Sequence, residues 1–149
     1  MKEANMAEEQ EGQAAGTEEL GLLDSIIYNG QMVRDIDDLV AYLVENTSPG
    51  DTVVLTPGTY TGDGNRDIDL DGKNLVISSE SGAESTIIDC GGTESEPHGA
   101  FILQHDEDQS CVLEGLTISH GYCGYDGGAV LCVNTTPTIR HCIFTENTR

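Results

Sequence analysis

Leu113-Glu114-Gly115-Leu116-Thr117-Ile118-Ser119 is answered 26 residues later by Ile139-Arg140-His141-Cys142-Ile143-Phe144-Thr145. A shorter echo, Leu75-Val76-Ile77-Ser78, matches Leu116-Thr117-Ile118-Ser119 at an offset of 41. Self-similarity at a period of roughly 20–50 residues marks a stacked architecture, in which each unit buries its apolar face only against its neighbour.

The segments around this echo are short, rich in β-branched residues and bounded by turn formers. They are Thr52–Leu55, Thr86–Ile88, Phe101–Leu103, Ala129–Leu131 and Thr138–Ile139, with Asp67-Ile68-Asp69-Leu70-Asp71-Gly72 alternating strictly between acid and aliphatic. No helical pattern separates them, which excludes βαβ crossovers. A sandwich of hairpins predicts no fixed repeat near 26 residues, so the pattern favours a parallel β-helix, an all-β solenoid. Aligning the echoes predicts two internal ladders, Leu75–Leu116–Cys142 and Ile77–Ile118–Phe144. Gly91–Gly99 reads as an outward loop inserted into one coil.

Upstream of the strands, Ile36, Leu39, Val40, Leu43 and Val44 follow the spacing of one apolar helix face, which predicts a helix over 36–46. Asp35 stands as its N-cap, Asp37 and Asp38 suit its positive end, and Ser48-Pro49-Gly50 stops it. Its apolar stripe would cover the open end of the first coil. Ser25–Tyr28 reads as a short first strand. Residues 1–24 are acidic and poor in large apolar groups, so they are expected to form a disordered tail ahead of a folded unit at 25–149.

The 149 residues carry 27 acids against 6 basic side chains, a formal charge of −21. That balance excludes phosphate-tracking nucleic-acid binders and proteins docked on anionic membranes, and no apolar run is long enough for a membrane span. The N-terminus lacks the order of a secretory signal. The five cysteines, Cys90, Cys111, Cys123, Cys132 and Cys142, contain no C-x-x-C pair. Several are expected in the core, with one disulfide among the last four open to an exported protein.

Two stretches carry a resemblance. Pro49-Gly50-Asp51-Thr52-Val53-Val54-Leu55-Thr56-Pro57-Gly58-Thr59-Tyr60, and Gly127-Gly128-Ala129-Val130-Leu131-Cys132 followed by Thr136-Pro137-Thr138-Ile139-Arg140-His141-Cys142-Ile143-Phe144 and Asn147, resemble right-handed parallel β-helix repeat proteins of the pectin-lyase-like superfamily. The resemblance covers residues 25–149 and implies an N-terminal capping helix, an extracellular or cell-surface location, and a chain continuing into further coils beyond Arg149. The superfamily spans polysaccharide-active enzymes and adhesins. His120 follows Ser119 rather than glycine, and Asp-Asp and Arg-x-Lys are absent nearby, so the polygalacturonase-like site is not carried over.

Asp63, Asp67, Asp69 and Asp71 invite a calcium reading, since hard cations want several oxygens. Asp67, Asp69 and Asp71 begin an EF-hand-like D-x-D-x-D-G, but Ser78 stands where a bidentate Glu is needed, and alternation would spread the carboxylates over about 13 Å. The expectation is a solvated acidic face, with no catalytic residue and no cofactor assigned. Basic groups after Asp51 are limited to Arg66, Lys73, Arg140 and Arg149, which disfavours a polyuronate substrate. The expected role is a non-catalytic structural or binding repeat protein that presents a rigid face to glycans or surface proteins. The alternative is the N-terminal part of a lyase or glycosidase with its catalytic coils further on.

Overall fold

The computed structural model describes residues 39–124 and 128–148 together with the strands Ile26–Tyr28 and Gln31–Val33. The expected tail, the helical positions Asp35, Ile36, Asp37 and Asp38, and Arg149 lie outside the described residues.

The chain winds into a parallel β-solenoid of about three turns. The first coil holds β3 (Thr52–Leu55), β4 (Gly58–Thr61) and β5 (Ile68–Asp69). The second holds β6 (Val76–Ser79), β7 (Thr86–Asp89) and β8 (Phe101–Leu103), and the third β9 (Val112–Glu114), β10 (Thr117–Ser119) and β11 (Val130–Cys132). β12 (Thr138–Arg140) and β13 (Ile143–Thr145) begin a fourth. Equivalent strands pair in parallel: β3-β6-β9-β12 form the first sheet, β4-β7-β10-β13 the second and β5-β8-β11 the third.

Alternation along each strand sends one side chain inward, where it meets its counterparts above and below. The register defines three columns: Val53–Ile77–Leu113–Ile139, Tyr60–Ile88–Ile118–Phe144 and Ile68–Phe101–Val130. Through the second coil and up to Ile118 these side chains are fully or almost fully buried. The 26-residue step is kept between β9–β10 and β12–β13, so Ile118 sits beside Phe144.

The 41-residue step is not a step of the solenoid, and the ladders drawn from it are corrected by the register. Ile77 belongs to the first sheet beside Leu113, and Ile118 to the second beside Ile88. Leu75 precedes β6 as Cys111 precedes β9, and each passes its carbonyl to the next coil: Val112 N donates to Leu75 O at 2.9 Å and Thr138 N to Cys111 O at 2.8 Å. Leu75 therefore aligns with Cys111, while Leu116 aligns with Cys142, before β10 and β13. Leu116 is fully buried and Cys142 half-buried.

The N-terminal end is closed by two devices. One is a hairpin: β1 (Ile26–Tyr28) pairs antiparallel with β2 (Gln31–Val33) and with β3, which covers the free edge of the first sheet. The strand Gln31–Val33 was not foreseen from the sequence. The other is the helix α1 (Leu39–Glu45), whose Leu39 and Leu43 are fully buried in the core cluster with Ile68 and Leu70. Val40 packs against that cluster, but Val44 is 40% exposed and lies off the buried stripe.

The first coil bolts α1 at both ends. Asn65, itself buried, accepts from Leu39 N at 3.3 Å and donates to Thr61 O at 2.7 Å. At the other end the Lys73 ammonium donates to the carbonyls of Leu43 (3.3 Å), Val44 and Thr47 (2.9 Å). A cation there satisfies orphan carbonyls and suits the negative end of the helix. Lys73→Met keeps the aliphatic stem and removes these charge-assisted bonds. It is expected to cost about 2 kcal/mol, read as a lower urea midpoint at unchanged slope.

All five cysteines are free thiols. Cys90 and Cys111 are fully buried, as expected of core residues, and burial pushes their thiols up to about 12 and about 11. Cys132 is exposed because it faces the open end of the third sheet.

Candidate functional site

The solenoid brings an acid of one coil beside a histidine of the next. All four histidines have such a partner, and three of these clusters lie on or beside the third sheet.

At the entry to that sheet, Asp67 takes a left-handed backbone (φ 52°) just before β5. Its Oδ2 lies 2.6 Å from His98 Nδ1 and its Oδ1 accepts from Gly99 N at 2.9 Å. The Gly91–Gly99 loop, whose segment 93–97 is exposed, returns to the core through this clamp. An imidazole that donates from Nδ1 to a carboxylate has its tautomer fixed, with Nε2 left as an acceptor. Beside the pair is a mostly apolar pocket of about 110 Å³, lined by Pro97, Ile102, Tyr122, Cys123 and Leu131 among others. Ile102 and Leu131 are register partners and share the outer face of the sheet with Asp69.

At the exit of the sheet, His105 Nδ1 lies 3.2 Å from Asp69 Oδ1 and 4.0 Å from Asp71 Oδ1. Glu107 is 1% exposed. One of its oxygens accepts from His105 N at 2.9 Å and the other from Gly72 N at 3.0 Å. Gly72 is needed at this corner: its φ is 84°, and a Cβ there would stand 3.1 Å from the His105 carbonyl oxygen.

At the corner between the second and third sheets, His120 is held from two coils. Its Nδ1 is 3.1 Å from Asp89 Oδ1 and its Nε2 3.0 Å from Glu146 Oε1. On the first sheet Glu114 receives Arg140 at 3.2 Å and His141 at 3.4 Å. The Arg140 hydrogen bond, aided by His141, holds the Glu114 carboxyl below its ordinary range. A wide groove of about 520 Å³ opens between Ser81–Ser85 and His141–Ile143.

The four aspartates of the calcium reading go to three different places. Asp63 pairs with Arg66, Asp67 with His98, and Asp69 and Asp71 with His105. Sequence reasoning missed Glu107, Asp89 and Glu146. The usable signal was separation: Asp67 and His98, like Asp89 and His120, are 31 residues apart, one coil at that level of the stack.

No family model and no solved structure matches the chain. Two curated proteins do. SHC SH2 domain-binding protein 1 of Mus musculus is 31% identical over 99 residues, covering 61% of this chain and 14% of that protein. Its Homo sapiens counterpart is 30% identical over 99 residues with the same coverage. The chain thus spans about one seventh of the length of these relatives. Among the described residues, no helix is long and apolar enough to cross a membrane.

Proposed function

We propose that this chain is a non-catalytic binding segment of a β-solenoid repeat protein of the pectin-lyase-like kind, and that the outer face of its third sheet receives a basic protein segment. The observation that carries the reading is the apolar pocket beside Asp67–His98. At about 110 Å³ it falls below the roughly 300–1,000 Å³ of small-molecule sites and suits one aliphatic anchor side chain. Exposed Glu94 and Glu96 precede Pro97, which lines the pocket, within a chain of charge −21, and favour Lys and Arg around that anchor. The name of the two relatives, SHC SH2 domain-binding protein 1, is in keeping with a protein partner. Further coils stacked on β12 and β13 belong to the same reading, because Ile139 and Phe144, the last members of two inward columns, are 37% and 48% exposed.

The test is an array of Lys/Arg-rich peptides, each with one Leu, Ile or Met, run beside a glycan array and a reducing-sugar release assay. Basic peptides are expected to bind, more weakly as salt rises. Leu131→Glu is expected to weaken them roughly tenfold, about 1.4 kcal/mol. Retention on glycans alone, release of reducing sugar, or peptide binding indifferent to Leu131→Glu would replace this reading.

A further inference from the structure

We propose that Asp69, His105 and Glu107 form a site for a divalent transition-metal ion of the zinc or cobalt class. The cluster draws on two coils, Asp69 from β5 and the other two from the turn after β8, and one ligand atom from each residue lies within 4.8 Å of the others. It is a mixed nitrogen and oxygen set. An imidazole ligand suits zinc, cobalt and their neighbours, whereas calcium takes oxygen alone.

Three features of the geometry suit a bound ion. The 3.2 Å between His105 Nδ1 and Asp69 Oδ1 is close to the roughly 3.3–3.4 Å that separates two ligands of a tetrahedral ion with bonds near 2.0–2.1 Å. Glu107 is a carboxylate withdrawn from water, which is costly unless its charge is met. Its two backbone donors, Gly72 N and His105 N, take one lone pair on each oxygen and leave the other free, while fixing the group's orientation as outer-shell hydrogen bonds fix metal ligands. The site is also reachable: the Asp69 and His105 side chains are 36% and 44% exposed. Coordination through Nδ1 requires that the ring carry its proton on Nε2.

The experiment titrates the full chain with Co²⁺ alone and reads visible absorption, then repeats the titration with Zn²⁺ by thermal shift. One equivalent is expected to bind, with ligand-field bands and no thiolate charge-transfer band, and with a rise in melting temperature. His105→Ala and Asp69→Asn are solvent-facing changes expected to leave the circular dichroism spectrum intact and to weaken binding at least about 100-fold. His141→Ala, on a histidine far from the cluster in the chain and on another sheet, is expected to leave binding unchanged. Absence of a spectral change at millimolar Co²⁺, a thiolate band placing the ion on cysteine, or equal affinity in wild type and both variants would overturn the assignment.

Discussion

Ile118→Asp is expected to abolish cooperative folding. Ile118 is fully buried in the second column, with Ile88 below and Phe144 above. Its strand is covered on the outer face as well, since Thr117 Oγ1 donates to Ala83 O at 2.6 Å and Thr117 and Ser119 are both buried. Among the described residues the column is Tyr60, Ile88, Ile118 and Phe144, with no basic side chain, so the new carboxyl would either stay charged without a partner or take up a proton, and both are costly. A loss above about 4–5 kcal/mol follows, against a total near 5–15 kcal/mol for an ordinary domain. Thr59→Asp is the matching control: it lies in the same sheet but exposed, and should shift stability by less than about 0.5 kcal/mol. Thermal melts by circular dichroism read both. A folded Ile118→Asp with a near-normal melting temperature would contradict the inward register of β10.

The solenoid was legible because β9–β10 and β12–β13 keep one 26-residue step in both sheets, so their likeness survives as a clean echo. The second coil carries Glu80–Ser85 between β6 and β7, where the third has only Gly115 and Leu116 between β9 and β10, and this insertion hides the same repeat. The false match of Leu75–Ser78 with Leu116–Ser119 has a simple origin. Alternation has a period of two residues and marks a strand as half-buried, but not which of three sheets it joins. Ile77 and Ile118 both point inward and are equally buried, yet they stand in different columns. The helix was legible at Leu39 and Leu43, whose spacing alone fixes a buried stripe. Val44 lies off that stripe and is 40% exposed.

The acid–histidine clusters were least legible, for a related reason. Each joins residues of different coils, and the separation varies from 26 between His120 and Glu146 to 36 between Asp69 and His105. A motif scan of fixed short spacing cannot find such pairs. What the sequence did offer was an excess of acids, which reads as a solvated face. The winding turns part of that excess into specific contacts: Asp67 on His98, Asp69 on His105, and Asp89 and Glu146 on His120. These contacts tie successive coils together along the third sheet, the same flank on which the pocket and the proposed metal ligands lie. Stability of the stack and shape of that surface are therefore set by the same residues.

Phe101→Ala is expected to be the second most damaging change, and its contrast with Phe144→Ala is the sharper test of the architecture. The chain has two phenylalanines, both pointing along inward columns. Phe101 is 1% exposed between Ile68 and Val130, so truncation leaves a cavity walled by both neighbours and should cost about 3–5 kcal/mol. Phe144 is 48% exposed at the last described coil, so its removal should cost under about 1 kcal/mol. Urea denaturation of both variants separates the two, because only the midpoint of Phe101→Ala should fall steeply. Equal losses would mean that Phe144 is covered in solution by a further layer. Repeating the melts over a range of protein concentrations then tells a second copy, whose cover weakens on dilution, from a layer belonging to the chain itself.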